Sequence, residues 1–450
     1  MKLAQQGSSW RFARARPLVP LERPGGRERP SVSARVPTSF KIAVFFAFVS
    51  LTVLDRFGLR LSETYSINPS LFALYGIVAA VVLTRSAQIH GTGALIYVGV
   101  VTFAGLSFLL NISLDSRQYS SLGSLGLLLV LYAPFAICLR PTVGTNALWQ
   151  WLMKWFIICM LGLAVAGIVQ FYAQFVLHAP WLFDYTTLIP APIRGSGVYN
   201  TTNHVGSLIK SNGFFLREAS GFSWYIAFAL ICEWSLRRRK LVMATFALAI
   251  VVSYSGSGLL ALGVAMLFPL GQRTLVRVLG LVLAGGVFVL VFGDALNLTY
   301  TLGRVGEFDS THSSAYCRFI LPGKVVAEQI DSDTWTTLFG HGPGTTQKLF
   351  GTCETTYAKV VIEYGILGTI AVGALILAAV NRSLAPIRMR VVLVVQWLLL
   401  GGNLLAPESL LFIVLISALW PVGIAQAAAP PPQAAAPRVT TSRFKRLGTL

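Results

Sequence analysis

The chain has 450 residues, 55% of them hydrophobic and only 12% charged, with a formal net charge of +19. Soluble proteins carry about 25% charged residues, so this composition excludes an ordinary soluble domain and implies a polytopic membrane protein. It also speaks against nucleic acid as a partner. The basic residues form no single patch but sit in tails and short loops between apolar runs, the pattern that orients membrane proteins.

Residues 1–38 hold eight Lys/Arg, two Glu and five Pro without an apolar core, and read as a disordered cytoplasmic tail rather than a cleaved signal. Apolar runs then recur at about 40–55, 68–84, 93–111, 121–139, 150–177, 214–236, 241–253, 257–271, 275–295, 356–380, 391–406 and 409–427. Most match the length that spans a hydrocarbon core of about 30 Å. The runs at 241–253 and 257–271 are short. Arg237-Arg238-Arg239-Lys240 precedes them and Arg273 and Arg277 follow, so cytoplasmic basic clusters require two crossings and a turn at Ser253–Gly258. The same logic places Arg85, Arg140, Arg382, Arg388 and Arg390 inside. The expectation is an all-α polytopic membrane domain over 39–427 with about 12 transmembrane helices. An Ala/Pro-rich basic tail at 428–450 follows it, and both termini are cytoplasmic.

Two long loops, about 178–213 and 296–355, then face outward. The second carries six acids (Glu307, Asp309, Glu328, Asp331, Asp333, Glu354) against four Lys/Arg, and His178, His204, His312 and His341 fall in or beside the two. Loops this long are usually functional, so chemistry is expected on the outer face. Cys138, Cys159 and Cys232 lie in apolar runs as small core residues. Cys317 and Cys353 share the second loop, and whether they are bonded is left open.

Arg217 and Glu218 open the sixth helix beside Trp224 and Tyr225, as a polar site or as an interfacial anchor. A charge at the centre of a membrane helix costs about 2.5–3.5 kcal/mol on insertion scales. Lys359 and Glu363, spaced i,i+4, offset that cost as an ion pair or serve a site. Arg304 and Arg318 flank Ser313-Ser314. Gly340-His341-Gly342-Pro343-Gly344 is either an anion nest or a re-entrant turn. Asp331-Ser332-Asp333 has the D-x-D form of metal-dependent glycosyltransferases, but three residues read better as a surface turn or helix cap. Neither a Gly-rich ATP loop, a His/Cys metal cluster nor a G-x-S-x-G elbow is present, so no metal and no cofactor is expected.

Residues 213–225, 253–258, 304–307, 314–318, 340–344 and 357–368, in this order, resemble the O-antigen polymerase and ligase family, which comprises Wzy-type polymerases and O-antigen ligases. The resemblance covers roughly residues 210–370; the first 200 residues match only in hydropathy. It implies a GT-C-like glycosyltransferase of the bacterial inner membrane with its site on the periplasmic face. The donor would be an undecaprenyl-diphosphate-linked glycan and the acceptor a sugar hydroxyl of a second lipid-linked unit. Its partners would be the bilayer, a chain-length regulator and a flippase, with no nucleic acid.

Ligases of the family carry a histidine nine residues before the glutamate of the E-x-G segment; here that position holds Glu354, ahead of Glu363-Tyr364-Gly365. This favours the polymerase, with the ligase as first alternative and a lipid-linked glycan flippase as second. The R-x10-G spacing of some polymerases is absent, since the expected positions hold Val205 and Ala315. Arg217, Arg318, Lys210 and Arg304, in that order, are expected to stabilise the leaving diphosphate. Glu354 is the first choice of base, followed by Glu218 and Glu307, while Tyr357, Lys359 and Glu363 would shape the cavity mouth.

Overall fold

A computed structural model describes residues 36–60, 66–113, 120–177, 179–195, 202–269, 308–350 apart from 312 and 314, and 355–422, with scattered positions between 271 and 291. The chain from Val36 onward forms one compact unit, and it is mostly helical. The helices are α1 (Thr38–Leu51), α2 (Pro69–Leu83), α3 (Gly91–Ser113), α4 (Leu122–Tyr132), α5 (Val143–Leu177), α6 (Ala219–Leu236), α7 (Lys240–Val252) and α8 (Gly256–Leu267). In the second loop and beyond come α9 (Leu321–Ser332), α10 (Thr334–Phe339), α11 (Thr346–Phe350), α12 (Thr356–Asn381), α13 (Ile387–Val395) and α14 (Pro407–Ile413). Among the described residues, α3, α5 and α12 are long and apolar enough to cross a membrane, and most of the others are shorter apolar helices.

The connections are not all helical or irregular, as an all-α reading expects. Three two-stranded antiparallel pairs join them: β1 (Leu59–Arg60) with β2 (Ser66–Ile67), β3 (Ala87–Ile89) with β4 (Ile137–Leu139), and β5 (His204–Val205) with β6 (Leu208–Ile209). Backbone groups between helices must find partners, and short ladders supply them. The 241–253 and 257–271 runs form two helices, with Tyr254 at φ 45° in the turn between them. Cys138, Cys159 and Cys232 are free thiols. Cys317 is disulfide-bonded, and its expected partner Cys353 lies outside the described residues.

Helix α6 is the central rod. It is buried on nearly every side, Ile226, Ala227, Phe228 and Ala229 in succession, as expected for a helix that is apolar all round. It packs against α5, α7, α8 and α13. Phe228 meets Phe156 at 5.9 Å and Phe412 at 5.0 Å between ring centroids. Gly258 on α8 lets the backbones close in, since a Cβ there would fall 2.3 Å from Ser223 Oγ. Between apolar lipid and apolar helices, this fit and the polar contacts hold the bundle.

The two ends of α6, about 27 Å apart at 1.5 Å per residue, differ in character. At its C-terminal end Arg239 Nη2 lies 2.8 Å from buried Glu233 Oε2, and the Arg388 guanidinium covers the Trp234 ring at 4.3 Å. Arg388 also donates to the Phe268 carbonyl. Arg217 and Glu218 stand at the other end.

The 356–380 run is not a single helix. Gly365 (φ 65°, ψ −168°) breaks α12 into an N-terminal piece, Thr356–Tyr364, and a C-terminal piece of about 24 Å. The break frees carbonyls, which a bilayer cannot satisfy. His341 N donates to Ile362 O at 2.8 Å and Gly342 N to Glu363 O at 3.0 Å. Ser107 Oγ also donates to Glu363 O, at 2.8 Å, and Asn111 Nδ2 holds the turn through Gly340 O at 3.0 Å. The Gly340–Gly344 turn is therefore the cap of a broken helix, and these two N–H groups are engaged rather than presented to an anion.

Candidate functional site

A cavity of about 240 Å³ lies at the N-terminal tip of α6. Its lining combines the polar groups Asp55, Arg217, Glu218, Ser220, Gln396, Asn403 and Glu408 with the aromatic Trp224, Tyr225, Trp397 and Phe412. Trp224 and Tyr225 are thus inward-facing walls rather than interfacial anchors.

The loop that presents Arg217 is set by local chemistry. Gly213 (φ 72°) and Phe214 (φ 70°) make a left-handed turn, and a Cβ on Gly213 would meet the Phe222 ring at 2.6 Å. Buried Asn212 donates to Phe183 O at 2.9 Å and accepts from Gln170 Nε2 at 2.8 Å; Ser211 Oγ donates to Gln170 Oε1 at 2.8 Å. Arg56, only 2% exposed, clamps the same loop. It donates to Leu216 O at 2.7 Å and Phe183 O at 2.8 Å, pairs with Asp184 at 3.2 Å, and lies 4.4 Å from the Tyr185 ring centroid. Burial pulls the Arg56 pKa down, and Tyr185 and Asp184 oppose that shift.

Arg217 is anchored to the turn that follows α1. Its backbone N–H donates to Asp55 Oδ2 at 3.0 Å and its Nε lies 3.6 Å from Asp55 Oδ1. Glu218 occupies the N-cap position of α6 and accepts from Ser220 Oγ at 2.8 Å. Behind this first turn, Ser257 Oγ donates to Ser220 O at 2.7 Å, which ties in the Ser253–Gly258 turn. From the second long loop, Arg318 Nη2 lies 3.6 Å from Glu218 Oε2, both side chains about one-third exposed.

Arg318 sits in a π-helical turn, Tyr316–Ile320, which packs against a second one, Gln396–Leu400, on the cavity wall. Such turns are rare and frequent at functional sites. Ser313 Oγ accepts from Tyr316 N at 3.0 Å and so holds the start of the first turn. The second ends at Gly401, whose φ of 138° reverses the chain toward Asn403 and Glu408.

The structure thus joins Arg217, Glu218 and Arg318, which the sequence singled out from separate stretches. It does not join the rest. Lys210 is 3% exposed and does not line the cavity. Tyr357 packs with Leu321, Val325, Ala358 and Ile362 in a second apolar cluster. Lys359 Nζ and Glu363 Oε1 pair at 3.7 Å in the interior, where Thr346 Oγ1 donates to the same carboxylate at 3.0 Å. They latch α11 under the broken helix rather than shaping a cavity mouth. Asp333 caps α10, accepting from Thr336 N at 2.8 Å. Glu354, Arg304 and Glu307 lie outside the described residues. Among the described residues no three His, Cys, Asp or Glu side chains cluster as metal ligands do.

Sequence reasoning missed Asp55, Gln396, Asn403 and Glu408. Two of them carry a signal: Asp55 is the first acid after the N-terminal tail, and Glu408 is the one acid after Glu363. No family model, curated protein or solved structure matches this chain.

Proposed function

We propose that the protein polymerises polyprenyl-diphosphate-linked oligosaccharide repeat units on the outer face of the bacterial cytoplasmic membrane, as an O-antigen, capsule or exopolysaccharide polymerase. The observation that carries this reading is a cavity at one tip of the central helix, lined by Arg217, Glu218 and aromatic side chains, with Arg318 paired to Glu218. A lipid-linked diphosphate has the same division, an anionic head on an apolar stem. The reading carries twelve crossings, with both termini and the Arg239–Arg388 end of the bundle in the cytoplasm.

In this mechanism an acceptor hydroxyl attacks the anomeric carbon of the donor. The carbon–oxygen bond to the diphosphate breaks, and the hydroxyl proton passes to a carboxylate. The leaving diphosphate needs its charge stabilised more than it needs a proton. Arginine supplies planar, bidentate contacts for that purpose. Both arginines already face a carboxylate at 3.6 Å, so the diphosphate must share or displace these ion pairs. Glu408 and Glu218 are carboxylates on the same cavity; Glu354 keeps its place as the proton acceptor that the resemblance implies.

A ligase would use the same donor with another acceptor. The helix broken at Gly365 favours a transporter, since broken helices build transport sites. That break is closed by His341, Gly342 and Ser107 rather than open to a substrate, which leaves glycosyl transfer the better reading. The test is purified protein in nanodiscs supplied with the host's lipid-linked repeat units. A product ladder is expected. Transfer onto a lipid A acceptor alone means ligase, and transbilayer movement without bond formation means flippase.

A further inference from the structure

We propose that the end of α6 remote from the cavity carries a site for an anionic phospholipid. Its headgroup sits among Arg237, Arg238 and Lys240, and one acyl chain lies along the outward face of α7. The site stands whether or not the cavity transfers sugars.

The turn between α6 and α7 is built to display charge. Glu233, its side chain fully buried, holds the turn from within. Its Oε1 accepts from Arg239 N at 2.8 Å and Arg239 Nε at 3.0 Å, and its Oε2 accepts from Arg239 Nη2 at 2.8 Å. Its carbonyl accepts from Arg237 N at 2.9 Å and Arg238 N at 2.7 Å. One arginine thus neutralises the buried carboxylate. Arg237, Arg238 and Lys240 are left exposed, and among the described residues no carboxylate comes within ion-pair distance of them. Arg238 Nε donates to Trp234 O at 3.3 Å, and Arg388 from α13 is fixed over the same residue's ring at 4.3 Å. Like charges gathered in this way repel one another, and an anion among them relieves the repulsion. The first turn of α7 has no acid and no side-chain cap, so the helix dipole adds to the same positive field.

Beside these charges the surface turns apolar. Leu241, next to Lys240, is 82% exposed, and Leu248 and Val251 follow at 42% and 50%. Spaced by seven and then three residues, they share one side of the helix. From Leu241 to Val251 the stripe runs about 15 Å at 1.5 Å per residue. That is one leaflet of a hydrocarbon core about 30 Å thick. Cations at the end of a stripe one leaflet deep match a phospholipid, head and chain together, whereas a soluble anion would use the charges alone. Basic clusters beside membrane helices bind anionic headgroups, and cations without carboxylate partners favour a lipid of net negative charge over a zwitterionic one.

The probe is palmitoyl-oleoyl phosphatidylglycerol, with phosphatidylcholine of the same chains as reference. Lipid retained by the purified protein is titrated by native mass spectrometry, and melting temperature is read in phosphatidylcholine nanodiscs with and without phosphatidylglycerol. Wild type should bind phosphatidylglycerol preferentially and melt higher in its presence. A basic residue at a membrane surface contributes roughly fivefold to such binding, so Arg237→Gln/Lys240→Gln should lower phosphatidylglycerol affinity by about tenfold or more. Arg237→Lys/Lys240→Arg keeps both charges and should keep the preference. Lys41→Gln/Lys154→Gln removes two exposed charges from α1 and α5 and controls for net charge. Lys240→Gln alone, with a loss of about fivefold, replaces the double variant if that protein does not accumulate.

Equal retention of the two lipids by wild type overturns the site and leaves the cations as orienting charges only. Unchanged affinity in Arg237→Gln/Lys240→Gln overturns it too, and so does an equal loss in Lys41→Gln/Lys154→Gln, which would make the effect one of net charge. If inorganic phosphate in phosphatidylcholine nanodiscs raises the melting temperature as far as phosphatidylglycerol does, the charges bind a free anion and the lipid assignment falls.

Discussion

Gly340 and Gly365 meet backbone to backbone. A Cβ on Gly340 would lie 2.5 Å from the Glu363 carbonyl carbon, and one on Gly365 would lie 2.3 Å from Leu338 O. Gly340 (φ 76°, ψ −176°) and Gly365 (φ 65°, ψ −168°) both hold a conformation open essentially to glycine alone. The contact fixes α10 and the Gly340–Gly344 turn to the broken helix, and so fixes one end of the long loop that carries Arg318.

Gly365→Ala should therefore cost about 1–3 kcal/mol from backbone strain alone, with the close contact adding to it. The expected result is a lowered melting temperature in detergent and faster proteolysis within the loop that holds α9 and α10. Gly373, whose added Cβ would meet nothing within 4 Å, is the control: Gly373→Ala should leave both measurements unchanged.

Arg318 and Glu218 give the second prediction. A pair this exposed contributes only about 0.2–1 kcal/mol, so its loss should leave the fold intact. Arg318→Lys should nonetheless lose most activity, because a point charge cannot replace a bidentate fork. The check is polymer output at matched membrane expression. Full output from Arg318→Ala would remove this residue from the site.

The site was legible where residues contradicted their surroundings. Arg217 and Glu218 stood out because charge at the edge of an apolar run is costly, and the turn between α7 and α8 followed from where basic clusters lay. Lys359 and Glu363 gave the same signal for a different reason: they offset each other's cost and latch a loop. Sequence alone does not separate a pair that serves a ligand from one that serves itself. Asp55, Gln396 and Glu408 were hidden because the turn after α1, the π-helical turn after α13 and the start of α14 meet Arg217 at one cavity only in the folded chain. The break at Gly365 left no trace, since glycine is common within membrane helices.

His341 predicts a pH response of the Gly340–Gly344 turn. Burial lowers its pKa from the usual 6.5, and Asp333 opposes that shift only in part. A lowered folded-state pKa means that the unfolded loop binds the proton more readily. Stability is then complete above about 6.5 and declines as pH falls through the folded-state value. Hydrogen exchange at the Gly340–Gly344 turn should speed up below that pH in wild type and lose this pH step in His341→Gln. An equal step in both proteins would assign it to another group.

The last prediction concerns the base. Glu218 already accepts from Ser220 and faces Arg318, an arrangement suited to holding the arginine. Glu408, at the start of α14, lines the same cavity, is within electrostatic reach of Arg217 and Asp55, and has no direct ion pair to hold it. General-base catalysis is worth about 10²–10⁴-fold. Glu408→Gln should lower turnover by about that factor while leaving donor affinity nearly unchanged, because Arg217 and Arg318 are untouched. Glu354→Gln, at the position where the resembling ligases carry histidine, is the rival: the same loss there with near-normal Glu408→Gln would move the base to the second outer loop. The two proteins should be compared for turnover, donor affinity and thermal stability. A carboxylate in a helix's first turn is worth roughly 0.3–1 kcal/mol through the macrodipole, so a Glu408→Gln protein with normal turnover and only a lowered melting temperature would leave that carboxylate with a purely structural role.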